Sequence, residues 1–403
     1  MKLLWIALLL ITPGANAQTQ EQINKVKTSD DYINAVIKKI GNKRIVALGE
    51  DTHGTAEFYE LRASITKRLI EEKGFTTLIL ENPHEDMQAL QDGLYINSLD
   101  TLMRRHLFSI YQSRQMKDFL QWFKKYASTH KKLKLAGCDD SYRELLPEMM
   151  IREAARLKSA RLVQQTKEFQ HRQIIGGGDD MEFGLATYQL LQQTDSMYNK
   201  QMRRSKKFEE LLFHAKTAYI FYDRFSRKQS VSRDEIMGER INFYANDKSE
   251  KIIVWAHSGH IAKYAWYQNE LGLMGATVAN HFPQDYLAIG MTSGNGIYSY
   301  INNRFINGDH LFNDTLFTGT FRTAADSSWN KLFIENASDK FVLDLSALSP
   351  DDSLLFNAPK KLRIQGYRKE GNSYSEFYRV SLARMYDMII FLRNTRATDG
   401  LFN

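Results

Sequence analysis

The chain has 403 residues, 43% of them hydrophobic, with 54 Lys and Arg against 47 Asp and Glu, a formal charge of +7. A charged fraction of 25% beside 12% aromatics excludes general disorder, and 6 prolines with 23 glycines exclude collagen-like or linker-dominated architecture. One cysteine excludes an internal disulfide framework and a paired-cysteine zinc site.

At the N-terminus, Lys2 precedes an unbroken apolar run over residues 3–11, then Pro13, Gly14 and the small-x-small triplet Ala15-Asn16-Ala17. This is the layout of a secretory signal peptide over residues 1–17, because a spanning helix needs about 20 apolar residues. Pro13 and Gly14 are expected to break any helix here. Cleavage after Ala17 leaves Gln18 first, so an exported protein is expected, periplasmic or secreted, with Cys138 unpaired. Basic pairs such as Arg203-Arg204 and Lys206-Lys207 read as solvated helix faces, so neither a nucleic-acid partner nor, after cleavage, a membrane partner is expected.

The mature part, residues 18–403, reads as one domain. Its first β-rich run is 44–49 (RIVALG). A helical pattern follows over 55–73, with Phe58, Leu61, Ile65 and Leu69 on one stripe and Gly74 closing it. Further runs lie at 76–80, 133–137, 252–256 and 287–291. All are continuously apolar rather than alternating, which suits parallel strands covered on both faces. From about 147 to 246 no strand pattern is convincing; the stretch predicts a largely helical insertion with a turn at Gly176-Gly177-Gly178. Runs at 341–345, 361–366 and 388–392 then extend the sheet or form a small appended layer. The predicted fold is α/β: a mainly parallel sheet with flanking helices and a large helical insertion.

In open sheets of this kind, ligands bind beyond the carboxyl ends of the strands. There the chain places Glu50-Asp51-Thr52-His53-Gly54, Glu81-Asn82, Cys138-Asp139-Asp140, His257-Ser258-Gly259-His260 and Thr292-Ser293-Gly294. Strand ends meet solvent and are polar anyway, but a structural protein has no reason to gather carboxylates and three imidazoles on one rim. Glu50 and His53 can both face the cleft, and a carboxylate that orients an imidazole makes a general base; the plainer reading is a His bonded to its own turn. Arg62, on the following helix, is either a surface residue laying its stem along the apolar stripe or a guanidinium that holds a carboxylate or an oxyanion. His257 and His260, three apart, are also a potential metal pair with Glu50, His53 and Glu81, although Glu-x-x-His metal pairs normally sit within helices. No G-x-S-x-G elbow occurs, and Cys138 sits in an apolar setting that suits a packed residue better than a nucleophile.

The series Leu48-Gly49-Glu50-Asp51-Thr52-His53-Gly54, Glu57-Phe58, Leu61-Arg62, Gly74-Phe75 and Glu81 resembles the N-terminal signature of the erythromycin esterase family. Trp255-Ala256-His257-Ser258-Gly259-His260-Ile261 resembles its second signature. Gly137-Cys138-Asp139, Arg233-Asp234, Met237, Met274-Gly275, Asp285-Tyr286 and Ile289-Gly290 are similar to further family positions, in the family's order. Two departures are Asp51, where a small or amide side chain is usual, and Ser258-Gly259 in place of Asn-Ala. The resemblance implies an α/β fold with a helical insertion and metal-independent hydrolysis of a macrolide lactone, hence a link to antibiotic resistance. It implies His53 as general base, Glu50 and Glu81 orienting it and the water, and Arg62, His257 and His260 binding substrate or steadying the tetrahedral intermediate, with Asp139 also on the substrate side. The expectation is an exported esterase acting on a small-molecule ester or lactone without a cofactor. Two other readings stay open: a metal-dependent hydrolase using the same residues, and a non-catalytic module binding an anionic or iron-containing small molecule.

Overall fold

The computed structural model describes residues 13–27, 32–140, 145–175, 180–264, 272–302, 310–322, 324–336, 338–369 and 377–402. The apolar run over 3–11 and Gly176-Gly177-Gly178 lie outside the described residues. Helices α1 (Pro13–Val26) and α2 (Tyr32–Ile40) lead into strand β1 (Ile45–Leu48) and helix α3 (Ala56–Lys73). Pro13 opens α1 rather than breaking it; its fixed φ suits the first turn, where no N–H donor is needed. Gly74 ends α3 in the left-handed conformation at φ 71°, as its position predicts.

Strand β2 (Thr77–Pro83) is followed by α4 (His84–Gly93), α5 (Leu99–His106) and α6 (Arg114–Thr129), then by β3 (Lys134–Asp139). Among the described residues, five helices separate β3 from the next strand: α7 (Leu145–Arg156), α8 (Ala160–Ile175), α9 (Met181–Asn199), α10 (Lys206–Ser226) and α11 (Arg233–Ala245). Then come β4 (Ile252–Trp255), the single-turn α12 (Ser258–Ile261), α13 (Leu273–His281), β5 (Tyr286–Tyr300), β6 (Phe317–Thr320), β7 (Lys340–Asp344), β8 (Lys360–Arg363), β9 (Phe377–Val380) and β10 (Met388–Thr395).

The main sheet has the order β3-β2-β4-β1-β5-β10-β7, parallel except for the antiparallel β10–β7 edge; β6 pairs antiparallel with the far end of β5. The chain is thus mixed α/β with a mainly parallel central sheet. Successive residues of β1 alternate between two cores. Val46 and Leu48 join a cluster with residues of α2 to α6, while Ile45 and Ala47 join one with α11, α13 and the C-terminal segment. A run buried on both faces must be apolar throughout, which is why RIVALG shows no alternation. The α7–α10 bundle carries a third core of its own, including Leu146, Phe169, Leu191 and Leu211. The two outcomes left open for the C-terminal runs both occur: β7 and β10 widen the sheet, and β8 pairs with β9 in a separate two-stranded sheet.

The bundle meets the sheet through a buried polar contact. The His84 ring, on α4, stacks on His214 of α10 with centroids 4.0 Å apart. The Tyr244 hydroxyl of α11 lies 3.1 Å from His84 Nδ1 and 3.3 Å from His214 Nε2. Burial, reinforced by the Arg240 charge, pushes His84 down to about 3; burial and the neighbouring His84 hold His214 well below the usual imidazole range. Both rings therefore fold neutral. Such groups stabilise the fold above the unfolded value near 6.5 and lose that contribution as pH falls toward the folded value, at up to about 1.4 kcal/mol per pH unit for each ring. Urea unfolding at stepped pH should give a stability that drops by a few kcal/mol between pH 6.5 and pH 5. A flat profile there would contradict the neutral pair.

Candidate active site

The catalytic-looking residues converge because three strands end level. Leu48 pairs with Trp255, and Trp255 pairs with Leu80. Glu81 is thus one residue past the common level, and Glu50 and His257 are two past it. The turn after β1 is packed so closely that only glycine fits at two points. A Cβ on Gly49 would meet Ser258 Oγ at 2.5 Å, and one on Gly54 would meet the Ser299 carbonyl at 1.9 Å. The loop is also tied down by Ser258 N–H donating to the Glu50 carbonyl at 2.8 Å and Ser299 N–H donating to the Gly54 carbonyl at 2.8 Å.

Glu50 Oε1 lies 2.8 Å from His53 Nδ1, and Glu50 Oε2 lies 2.5 Å from Arg62 Nη2. An ionised carboxylate only accepts, so His53 donates from Nδ1 and turns the Nε2 lone pair the other way. Nε2 then faces Glu81 Oε1 at 3.9 Å, too far for a direct hydrogen bond. Arg62 is fully buried, its guanidinium 4.7 Å from the Tyr59 ring centroid and 4.8 Å from that of Trp255. Of the two readings of Arg62, the structure selects the buried one. The Tyr111 hydroxyl stands 3.5 Å from His53 Nδ1, and Tyr59 donates to the His53 carbonyl at 2.9 Å.

Glu81 is held from the opposite side. Its Oε2 accepts the His257 backbone N–H at 2.8 Å, and its Oε1 lies 3.2 Å from His260 Nε2. Burial alone would raise its carboxyl, but the His260 charge and hydrogen bond, with the neighbouring His53 ring and Arg233, outweigh it and hold Glu81 well below the usual range. His260 is flanked on its other nitrogen by Asp234 of α11. Burial opposes the charged ring, yet Glu81 and Asp234 together push His260 up to about 10, so it is an imidazolium at neutral pH. His257 goes the other way: burial first, then the neighbouring His53 and His260, push it down to about 3. Its Nε2 sits 3.1 Å from both the Asp51 carbonyl and the Gly366 N–H, and in a neutral ring it either donates to the first or accepts from the second. The His53 and His257 ring centroids are 5.2 Å apart.

The structure therefore brings Glu50, His53, Arg62, Glu81, His257 and His260 together. Asp139 is placed differently from the expectation. Both its carboxylate oxygens accept from Arg233, at 2.8 Å and 2.5 Å, so it anchors that side chain rather than facing a ligand. The fifth rim segment also departs: Thr292 and Ser293 lie inside β5, which runs on to Tyr300. They point at Asp51, whose Oδ2 accepts from Ser293 N–H and Oγ at 2.8 Å each and from Thr292 Oγ1 at 3.2 Å. The acid at position 51 thus ties β1 to β5 and does not enter the cleft. Cys138 is buried, with its thiol pushed well up by burial, which removes it as a nucleophile.

Sequence reasoning gave no role to Asp234, Arg233, Tyr111 or Gly366. Asp234 had a local signal: it follows Ser232, whose Oγ caps α11 by accepting from Glu235 N–H at 3.1 Å. A carboxylate in the first turn of a capped helix is ordinary, so only the fold reveals its target. The donor chemistry also bears on the metal reading. Among the described residues no three His, Cys, Asp or Glu side chains are grouped to hold a metal ion. His260 has both ring nitrogens against carboxylates, Nε2 on Glu81 and Nδ1 on Asp234.

The carboxylates and imidazoles form a level rim at the carboxyl end of a mainly parallel sheet, and the comparisons place the chain among hydrolases. The erythromycin esterase family model matches residues 70–395, and the chain belongs to that family. It is 25% identical over 318 residues to erythromycin esterase type II of Escherichia coli, spanning 68% of this chain and 75% of that one. A protein of Bacillus cereus superposes with a TM-score of 0.80 at 19% identity, covering 96% of this chain and 99% of its own. EreC, an erythromycin esterase solved in its open conformation, superposes with a TM-score of 0.66 at 17% identity, covering 92% and 95%. The family and the curated relative support a hydrolase, and the two solved structures support this fold.

Proposed function

We propose that the protein is a carboxylic ester or lactone hydrolase in which His53, oriented by Glu50, activates a water molecule. The observation that carries this reading is the arrangement of His53: Nδ1 occupied by Glu50 at 2.8 Å, and Nε2 without a direct partner among the described residues, with Glu81 at 3.9 Å. A water bound between Nε2 and Glu81 would lose its proton to His53 as it attacks the acyl carbon. The His260 imidazolium, whose two N–H groups stay on Glu81 and Asp234, supplies positive potential beside the oxyanion of the tetrahedral intermediate, and collapse of that intermediate expels the alcohol, which takes the proton back from His53. No step needs a metal or cofactor. The relatives named erythromycin esterase make macrolide lactones the first substrates to test.

We also read residues 1–17 as an export signal, which places the enzyme outside the cytoplasm; the motivating observation is the Lys2, apolar run and Ala15-Asn16-Ala17 series. No described helix is long and apolar enough to cross a membrane. The functional reading is tested by screening purified protein against macrolides, simpler lactones and acyclic esters, with acid release as the readout. Turnover of at least one ester class is expected. No acid release from any of them, beside a small molecule that co-purifies tightly, would replace catalysis with binding.

A further inference from the structure

Asp234 belongs to no strand end, yet both its oxygens are committed. Oδ1 meets His260 Nδ1, and Oδ2 accepts the Met274 backbone N–H at 2.7 Å. The carboxylate is buried, so it cannot exchange these partners for water. His260 is thereby enclosed between two acids from different parts of the chain: Glu81 from the sheet and Asp234 from α11, the last helix of the α7–α11 segment. We propose that Asp234 is a positioning residue that keeps His260 as an imidazolium, so that docking of α11 against α13 sets the charge state of the site.

The consequence runs through Glu81. A charged His260 gives Glu81 a fixed counter-ion at 3.2 Å, which leaves the Glu81 carboxylate ionised while it shares its Oε1 side with His53. Without the imidazolium, Glu81 would draw more heavily on His53, and the proton taken from water would have a second place to go. Arg233, one residue before Asp234, reinforces this from the rim: its guanidinium, 39% exposed, lies 4.0 Å from Glu81 and is pinned by Asp139. The groups facing His260 are therefore Glu81 on β2, Asp234 and, through Glu81, Arg233 on α11, His257 at a ring distance of 5.9 Å, and His53 beyond Glu81. Two anions touch the ring directly, whereas the Arg233 guanidinium reaches it only through Glu81. A role in turnover rests on the ester-hydrolysis reading; the protonation state does not.

The test needs no substrate. Imidazole nitrogen shifts of histidine-labelled protein are followed across pH, with the His260 signal assigned by its loss in His260→Gln. Wild-type His260 should stay protonated through pH 8. Asp234→Asn should lower its midpoint by about one to three pH units, the span expected when a directly bonded carboxylate charge is removed, and Asp234→Glu should keep it high. A wild-type midpoint in the ordinary imidazole range, or an unchanged midpoint in Asp234→Asn, would overturn the proposal. If the Asn variant does not fold, the wild-type titration alone decides. On a confirmed ester, the alkaline limb of kcat/KM should move to lower pH in Asp234→Asn and return in Asp234→Glu; an unmoved limb beside an altered His260 midpoint would remove the link to turnover.

Discussion

Replacing His53 with Ala should lower kcat on a confirmed ester by about 10²–10⁴-fold, the usual contribution of a positioned general base. The fold should tolerate the change. Glu50, which would otherwise be stranded, keeps its ion pair with Arg62 at 2.5 Å, and Tyr59 bonds the backbone carbonyl of position 53 rather than the side chain. The expected stability change is therefore about 1 kcal/mol, typical of a single substitution. Added imidazole should restore part of the rate, because the space left by the side chain opens between Glu50 and Glu81. Wild-type turnover in His53→Ala would remove the residue as the base.

The second large effect is at Arg62, and it should appear in stability as much as in rate. Substituting Leu removes the counter-charge from a carboxylate that has no exposure to solvent, and breaking a buried pair from one side costs about 3–5 kcal/mol. It also removes the cation from between the Tyr59 and Trp255 rings. Arg62→Leu should therefore unfold at clearly lower urea concentration and lose most activity, since Glu50 would no longer be held for His53. Combining it with Glu50→Gln separates the two effects. The double variant should recover much of the stability, because no lone charge stays buried, but none of the rate. Equal stability losses in the single and double variants would mean that Arg62 acts through packing alone.

The legible part of this site is the part written in strand ends. Each continuously apolar run is a parallel strand, and Glu50, Glu81 and His257 follow three runs whose last residues share one register. That geometry makes their convergence a consequence of the sheet. Arg62 was legible as a choice between two fates, because it sits four residues after Phe58 and three before Ile65, on the edge of a buried stripe. Asp234 was not legible as a partner of His260, since nothing local in a helix start separates a cap-region acid from one aimed across the molecule. Gly366 and Tyr111 come from a loop and a single turn with no chemical pattern of their own. Thr292 and Ser293 misled for the opposite reason: polar residues within a strand imitate its end when their partner, the buried Asp51, is out of view.

The central claim is geometric, and a complex with a phosphonate analogue of the confirmed ester addresses it most directly. The account predicts a phosphonyl oxygen about 3 Å from His53 Nε2 with Glu81 on its far side, the distance that proton transfer requires. The other phosphonyl oxygen should face the His257 and His260 rings. An analogue seated with its phosphorus outside the Glu50, His53 and Glu81 cluster, with His53 touching no ligand atom, would contradict it.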